Sequence, residues 1–158
     1  MMKKIVLFIA SVLLIAGCTS NSIKEERKDY YLTYNNYQIK VGNDFNTLLA
    51  LVGPYNSVRE EASSYSEGTA KVYNYNDFEV ETYIENNIEK IYSIIVTSAQ
   101  VETNEGIHLN SSKHEMTVAY GLDYNQPTEE IYTYSLSNSN ITFIVENDII
   151  IGIMYYLK

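Results

Sequence analysis

Phe78-Glu79-Val80-Glu81-Thr82-Tyr83-Ile84-Glu85 alternates without a break. Phe78, Val80, Thr82 and Ile84 fall on one side of an extended chain, and Glu79, Glu81 and Glu85 on the other. Side chains of a strand alternate with period two, so this segment belongs to a sheet with one packed face and one wet face. Its surroundings read the same way. Lys71 to Tyr75 precedes it as a strand, and Lys90 to Ser98 follows after an Asn86-Asn87 turn. Connections this short force antiparallel pairing, because a parallel pair needs a crossover of about a dozen residues.

Upstream, Gly42 to Pro54 spells a short helix with both ends written in. Asp44 is a good N-cap, and Phe45, Leu48, Leu49 and Val52 share one helical face. Gly53 suits the positive-φ stop, and Pro54 prevents continuation. Gly106 to Gly121 restarts the pattern: Ser112 stands where Asp44 stood and Gly121 where Gly53 stood, each 68 residues later. Ser112 with Glu115 has capping-box spacing. Strands follow again at Glu129 to Leu136, Asn140 to Glu146 and Ile149 to Leu157, with turns at Ser137-Asn138-Ser139 and Asn147-Asp148. Tyr37, Ile39 and Val41 form a further strand after an Asn35-Asn36 turn. Tyr55 to Gly68 is open to two readings, a short helix through Val58 to Ala62, with Ser57 and Glu60 at capping-box spacing, or a strand through Ser63 to Glu67.

The pattern predicts an α+β fold: a tandem repeat of a short helix followed by an antiparallel β-meander, over 34–101 and 102–158, with the helices on one face of the sheet. Each half alone, at roughly 60–70 residues, buries too little for comfortable stability. A concave, solvated sheet face is left over.

The N-terminus reads differently. Met1 to Lys4 carries two positive charges, and Ile5 to Ala16 is an apolar run of 12 residues broken only by Ser11. This is the layout of an export signal. A membrane span needs about 20 apolar residues, so the run is too short for one. Leu14-Ile15-Ala16-Gly17-Cys18 resembles the lipobox of bacterial lipoprotein precursors. That resemblance implies a signal peptide over 1–17, cleavage between Gly17 and Cys18, and a diacylglyceryl group on Cys18. The protein would then sit on the extracytoplasmic face of the cell membrane, held by its lipid, with 18–33 as a flexible tether. Cys18 is the chain's single cysteine; a lone unpaired thiol is otherwise unusual in an exported protein.

The chain has 11 basic and 20 acidic residues, and the 11 fall to 9 when Lys3 and Lys4 leave with the signal. So acidic a body does not track a phosphate backbone, which excludes nucleic acid as an expected partner. It is also repelled by anionic headgroups, which suits a domain standing off the bilayer.

From Gly42 to Gly121 the chain resembles an uncharacterised family of lipoproteins from Gram-positive, clostridial-type bacteria. The residues that carry this are Ala62-Ser63-Ser64-Tyr65, Glu67-Gly68, Lys71-Val72-Tyr73-Asn74-Tyr75 and Phe78-Glu79-Val80-Glu81-Thr82-Tyr83, with Ile94 and Thr103-Asn104-Glu105-Gly106-Ile107. Members often carry cysteine where this chain has Ser64. The tandem layout is similar in architecture to the β-lactamase inhibitor protein and to the small outer-membrane assembly lipoproteins of the SmpA/OmlA type. Both work through protein–protein contact. That likeness implies an interaction role and transfers no contact residue.

No catalytic set is legible. His108 and His114 are the two histidines, and with Glu115 they fit no metal-ligand signature. Glu79, Glu81 and Glu85 read as the wet side of a strand rather than an acid/base pair. No cofactor and no metal are expected. Of the 16 tyrosines, Tyr73, Tyr75, Tyr83, Tyr132 and Tyr134 admit two readings: a binding surface along one sheet face, or cross-strand pairs that stabilise the sheet. The sequence thus leads to a non-enzymatic, membrane-anchored interaction module for an envelope or extracellular protein. Its alternative is a lipoprotein that binds cell-wall glycan or a small solute through tyrosine-rich surfaces.

Overall fold

The computed structural model describes residues 29–158. The signal, Gly17, Cys18 and residues 19–28 of the expected tether lie outside the described residues. In chain order the elements are β1 (Leu32–Tyr34), β2 (Tyr37–Ile39), α1 (Phe45–Val52), β3 (Ser57–Ala62), β4 (Thr69–Asn74), β5 (Phe78–Glu85) and β6 (Ile88–Val96). Then come α2 (Lys113–Tyr120), β7 (Asn125–Thr128), β8 (Ile131–Ser135), β9 (Ser139–Glu146) and β10 (Ile149–Leu157). β1 and β2 form a separate hairpin. The other eight strands make one antiparallel sheet in the order β3-β4-β5-β6-β10-β9-β8-β7. Its centre is the long-range pair β6–β10, where Ile94 lies opposite Tyr155.

This corrects the expected α+β tandem repeat of a short helix plus β-meander with helices on one face. The fold is mostly antiparallel β, 51% strand, with two short helices beside an eight-stranded sheet. Each helix has eight residues, about two turns. Together they bury fully only Phe45, Leu48 and Met116, too little apolar surface to form a layer of their own. A second correction concerns the tether. Within 18–33, Tyr30 and Leu32 are buried, because Leu32 pairs with Ile39 and the Tyr30 N–H donates to Ser139 Oγ at 2.7 Å. The folded body therefore includes residue 30.

Local chemistry explains the element ends. The Asp44 carboxylate accepts the Asn46 N–H at 2.8 Å and starts α1. A reciprocal box between Ser112 and Glu115 starts α2. Asn35-Asn36, Asn86-Asn87 and Asn147-Asp148 all have positive φ. Two-residue hairpins need that geometry at both positions, and Asn and Asp tolerate it. Ser57–Ala62 is a strand rather than a helix, because the whole segment pairs with β4.

One face of the large sheet is covered. Phe45 stacks on Tyr73 at 4.0 Å, Tyr34 meets Phe78 edge-on at 5.0 Å, and Tyr120 meets Phe143 at 5.0 Å. Phe78, Val80, Ile94, Ile141, Phe143 and Ile153 lie beneath, each at most 1% exposed. Among the described residues, no helix is long and apolar enough to cross a membrane.

Candidate functional site

The opposite face of the sheet is open. The register lays Val72, Glu81, Ser93, Tyr156 and Asn140 in one row across five strands. The next row is Asn74, Glu79, Ile95, Met154, Thr142 and Thr133. Strand alternation would make Glu81 a wet residue and Ile84 a buried one. The structure inverts both: Glu81 is 6% exposed and Ile84 66%. Ile84 lies near the sheet end, past the reach of the covering elements, whereas Glu81 lies at the centre under a loop.

That loop joins β3 to β4 and folds back over the open face. It is closed by the Ser63 N–H on Gly68 O at 3.0 Å. The Ser64 N–H donates to Glu81 Oε1 at 2.7 Å. The Tyr65 ring rests against Tyr83 at 4.6 Å and Tyr92 at 5.0 Å. Tyr92 reaches this side through a β-bulge: Glu81 pairs with Ser93 and Thr82 with Ile91, so Tyr92 has no partner in the ladder. Between the loop and β10 lies a hollow of about 220 Å³, with Val72, Glu81, Tyr92, Ser93, Met154 and Tyr156 in its wall.

At the edge of the hollow and beyond it this face is apolar: Ile95, which also lines the hollow, is 39% exposed, and Ile144 40%. The rim is polar. Arg59 forks onto Glu79 at 2.9 and 2.7 Å and reaches Glu61 at 3.1 Å. On the far side, Thr133 and Thr142 share a hydrogen bond of 2.7 Å, and Ser135 Oγ donates to Asn140 Oδ1 at 2.6 Å. The Arg59 guanidinium holds the Glu79 carboxyl below its ordinary range. Burial, and then the nearby Glu81 carboxylate, pushes the Tyr92 hydroxyl up.

The expected tyrosine surface is not assembled. Tyr73 and Tyr75 (5% exposed each) and Tyr132 and Tyr134 (2% each) point into the covered face. Tyr83 lies on the open side but beneath Tyr65, at 9%. The five therefore share no accessible surface, and four belong to the core. Besides Tyr83 and the loop's Tyr65, this face carries Tyr92 and Tyr156 in the wall of the hollow. For Tyr156 a signal existed, since it has the parity of Met154 and the opposite parity to Ile153 and Tyr155. Tyr92 depends on a bulge that spacing does not reveal.

Of the two histidines, His108 Nδ1 lies 2.8 Å from Leu109 O, and His114 is exposed on α2. Among the described residues, no three His, Cys, Asp or Glu side chains are placed to share a metal ion. Comparison with known families, characterised proteins and solved structures gives no match. The open face must be interpreted from its own geometry.

Proposed function

We propose that this chain is a non-enzymatic, lipid-anchored module on the extracytoplasmic face of the cell membrane. Its open sheet face docks another protein of the envelope or the extracellular space. The observation that carries the reading is an eight-stranded sheet with the helices and the β1–β2 hairpin on one face and the short β3–β4 loop over part of the other, which keeps Ile95 and Ile144 exposed between polar sides. That is the anatomy of a protein interface. The size also fits. Eight strands spaced about 4.8 Å apart and roughly 20 Å long present about 700 Å². A standard interface takes about 800 Å² from each partner.

A solute or glycan site is less well supported. Small-molecule pockets run from about 300 to 1,000 Å³ and are mostly apolar; the hollow holds about 220 Å³, and a larger concavity of about 440 Å³ beside the β1–β2 turn is lined mainly by polar side chains, among them Asn35, Asn36, Asp77 and Glu102. The tyrosines expected to act as stacking platforms are buried.

The test is site-specific photo-crosslinking in native cells. A crosslinker in place of Ile95 should give discrete protein adducts. One in place of Val118, 72% exposed on α2, should not. Equal adducts from both positions, or none from Ile95, refute the docking face. Glycan retained on the purified protein in place of adducts would favour the alternative.

A further inference from the structure

We propose that the hollow beside Glu81 seats one basic side chain, a lysine or arginine, of the docked protein. This rests on the docking-face reading and narrows it to an anchor residue of stated chemistry. Glu81 lies on the interior strand β5 at 6% exposure and forms part of the hollow's wall. Its Oε1 is well bonded to the Ser64 N–H at 2.7 Å. Among the described residues, its Oε2 accepts only from Ser93 Oγ, at 3.4 Å, long beside the usual O–H···O distance of about 2.7 Å. A carboxylate offers about four acceptor positions, so accepting capacity faces the hollow unused.

Among the described residues, no ion pair reaches Glu81: Arg59, in the same row and at the hollow's edge, is bonded to Glu79 and to Glu61 of the hollow's wall, Lys71 lies 4.0 Å from Glu89, and Lys90 pairs with Glu85. A buried carboxylate without a counter-charge is costly. Here it is kept in the wall of an accessible concavity rather than in the core. An incoming cation offsets that cost and gains a charge-assisted hydrogen bond.

The remaining wall suits a long basic side chain. Val72 and Met154 are apolar surface for its methylene stem. Tyr92 and Tyr156 offer aromatic faces to a cation. The hollow's volume is on the scale of one side chain rather than a free ligand. The chain's net charge of −9 steers a basic surface toward it.

The chain carries its own reporters. It has 4 methionines; Met154 lines the hollow and Met116, the fully buried residue of α2, does not. The full-length chain in detergent micelles, with ¹³C-methyl methionine, is titrated with acetyl-Gly-Lys-Gly-amide, its arginine counterpart and its norleucine counterpart. The expected result is a saturable shift of the Met154 methyl with lysine or arginine and a still Met116. Norleucine, the same stem without charge, should bind at least about tenfold more weakly. Glu81→Gln, which keeps an oxygen for the Ser64 N–H and turns the long Ser93 contact into one that the amide donates, should weaken the basic peptide about tenfold, the factor that 1.4 kcal/mol represents. A silent Met154, an equal response to norleucine, or a Glu81→Gln chain that binds undiminished overturns the proposal. If Glu81→Gln disturbs Met116 and so the fold, the lysine-to-norleucine comparison decides alone. Failure here with Ile95 adducts intact removes the basic anchor and spares the docking face; loss of the adducts removes the face itself.

Discussion

Replacing Tyr75 by phenylalanine should stabilise the protein, although Tyr75 is a core residue. Its ring stacks on Phe78 at 4.8 Å and 16°, an arrangement phenylalanine keeps. Its hydroxyl is buried and has no hydrogen-bond partner among the described residues. A buried polar group left unsatisfied costs about 1–3 kcal/mol. Deleting the oxygen recovers part of that and leaves a void of a single atom, so the net gain should be about 1 kcal/mol. Another core tyrosine gives the opposite sign. The Tyr134 hydroxyl donates to Gly121 O at 2.9 Å, at the end of α2, so Tyr134→Phe orphans a carbonyl and should cost about 1–2 kcal/mol. For a domain of this size, 1 kcal/mol moves Tm by about 4 °C. The assay is urea unfolding followed by far-UV circular dichroism, with the m-value checked for constancy. There is also a pH signature. Burial pushes the Tyr75 hydroxyl up to about 12, from an ordinary 10.0. Its contribution is fully present below pH 10 and is lost as pH rises toward 12, because only the neutral form is tolerated inside. Phenylalanine does not titrate, so its advantage should widen across that window. If Tyr75→Phe destabilises as much as Tyr134→Phe, the hydroxyl is bonded and the reasoning fails.

Arg59→Ala should cost at most about 1 kcal/mol, since the guanidinium is half exposed. Its imprint is on pH. The folded Glu79 carboxyl is held below its ordinary 4.5, so the contribution is present above that value and lost as pH falls through the folded one. The acid limb of a stability profile should flatten in the variant. Ser112→Ala removes the capping box of α2 and should cost about 1 kcal/mol in the same urea assay; no change would mean that packing alone starts this helix. Cys18→Ser should move the protein out of the detergent phase in a phase-partition experiment. Unchanged partitioning would argue against the lipid, since two acyl chains at about 0.8 kcal/mol per buried CH₂ hold firmly where one does not.

The chain's local signals are easy to read because local chemistry decides them. Asp44 and Ser112 cap because their oxygens reach N–H groups two or three residues on. Asn86-Asn87 and Asn147-Asp148 turn because a two-residue hairpin demands positive φ. β5 and β10 run over Phe78–Glu85 and Ile149–Leu157, where their patterns place them. β7 was not legible: Asn125–Thr128 contains a proline and has no apolar alternation. It is a strand only because β8 offers it an edge.

The candidate site was legible only in outline. Alternation in β5 says that its two faces differ, and an open face was expected from it. Alternation does not say what covers either face. Tyr73 and Tyr132 have the same composition and spacing whether they meet solvent or Phe45 and the core. Tyr73 is buried by α1 through Phe45, and Tyr132 has Tyr124 and Lys113 of α2 against its ring. Glu81 is wet by pattern and buried in fact, because the Ser64 loop lies over it.

From its residues alone this chain determines its caps, its Asn turns, its strands and its acidity, all settled within a few positions of each residue. Only the tertiary structure decides that eight strands join into one sheet through β6 and β10, that most of the singled-out tyrosines go inward, and that a bulge turns Tyr92 toward Glu81. Those outcomes depend on contacts between residues far apart in the chain, and a local pattern carries no information about which distant surface will arrive to bury it.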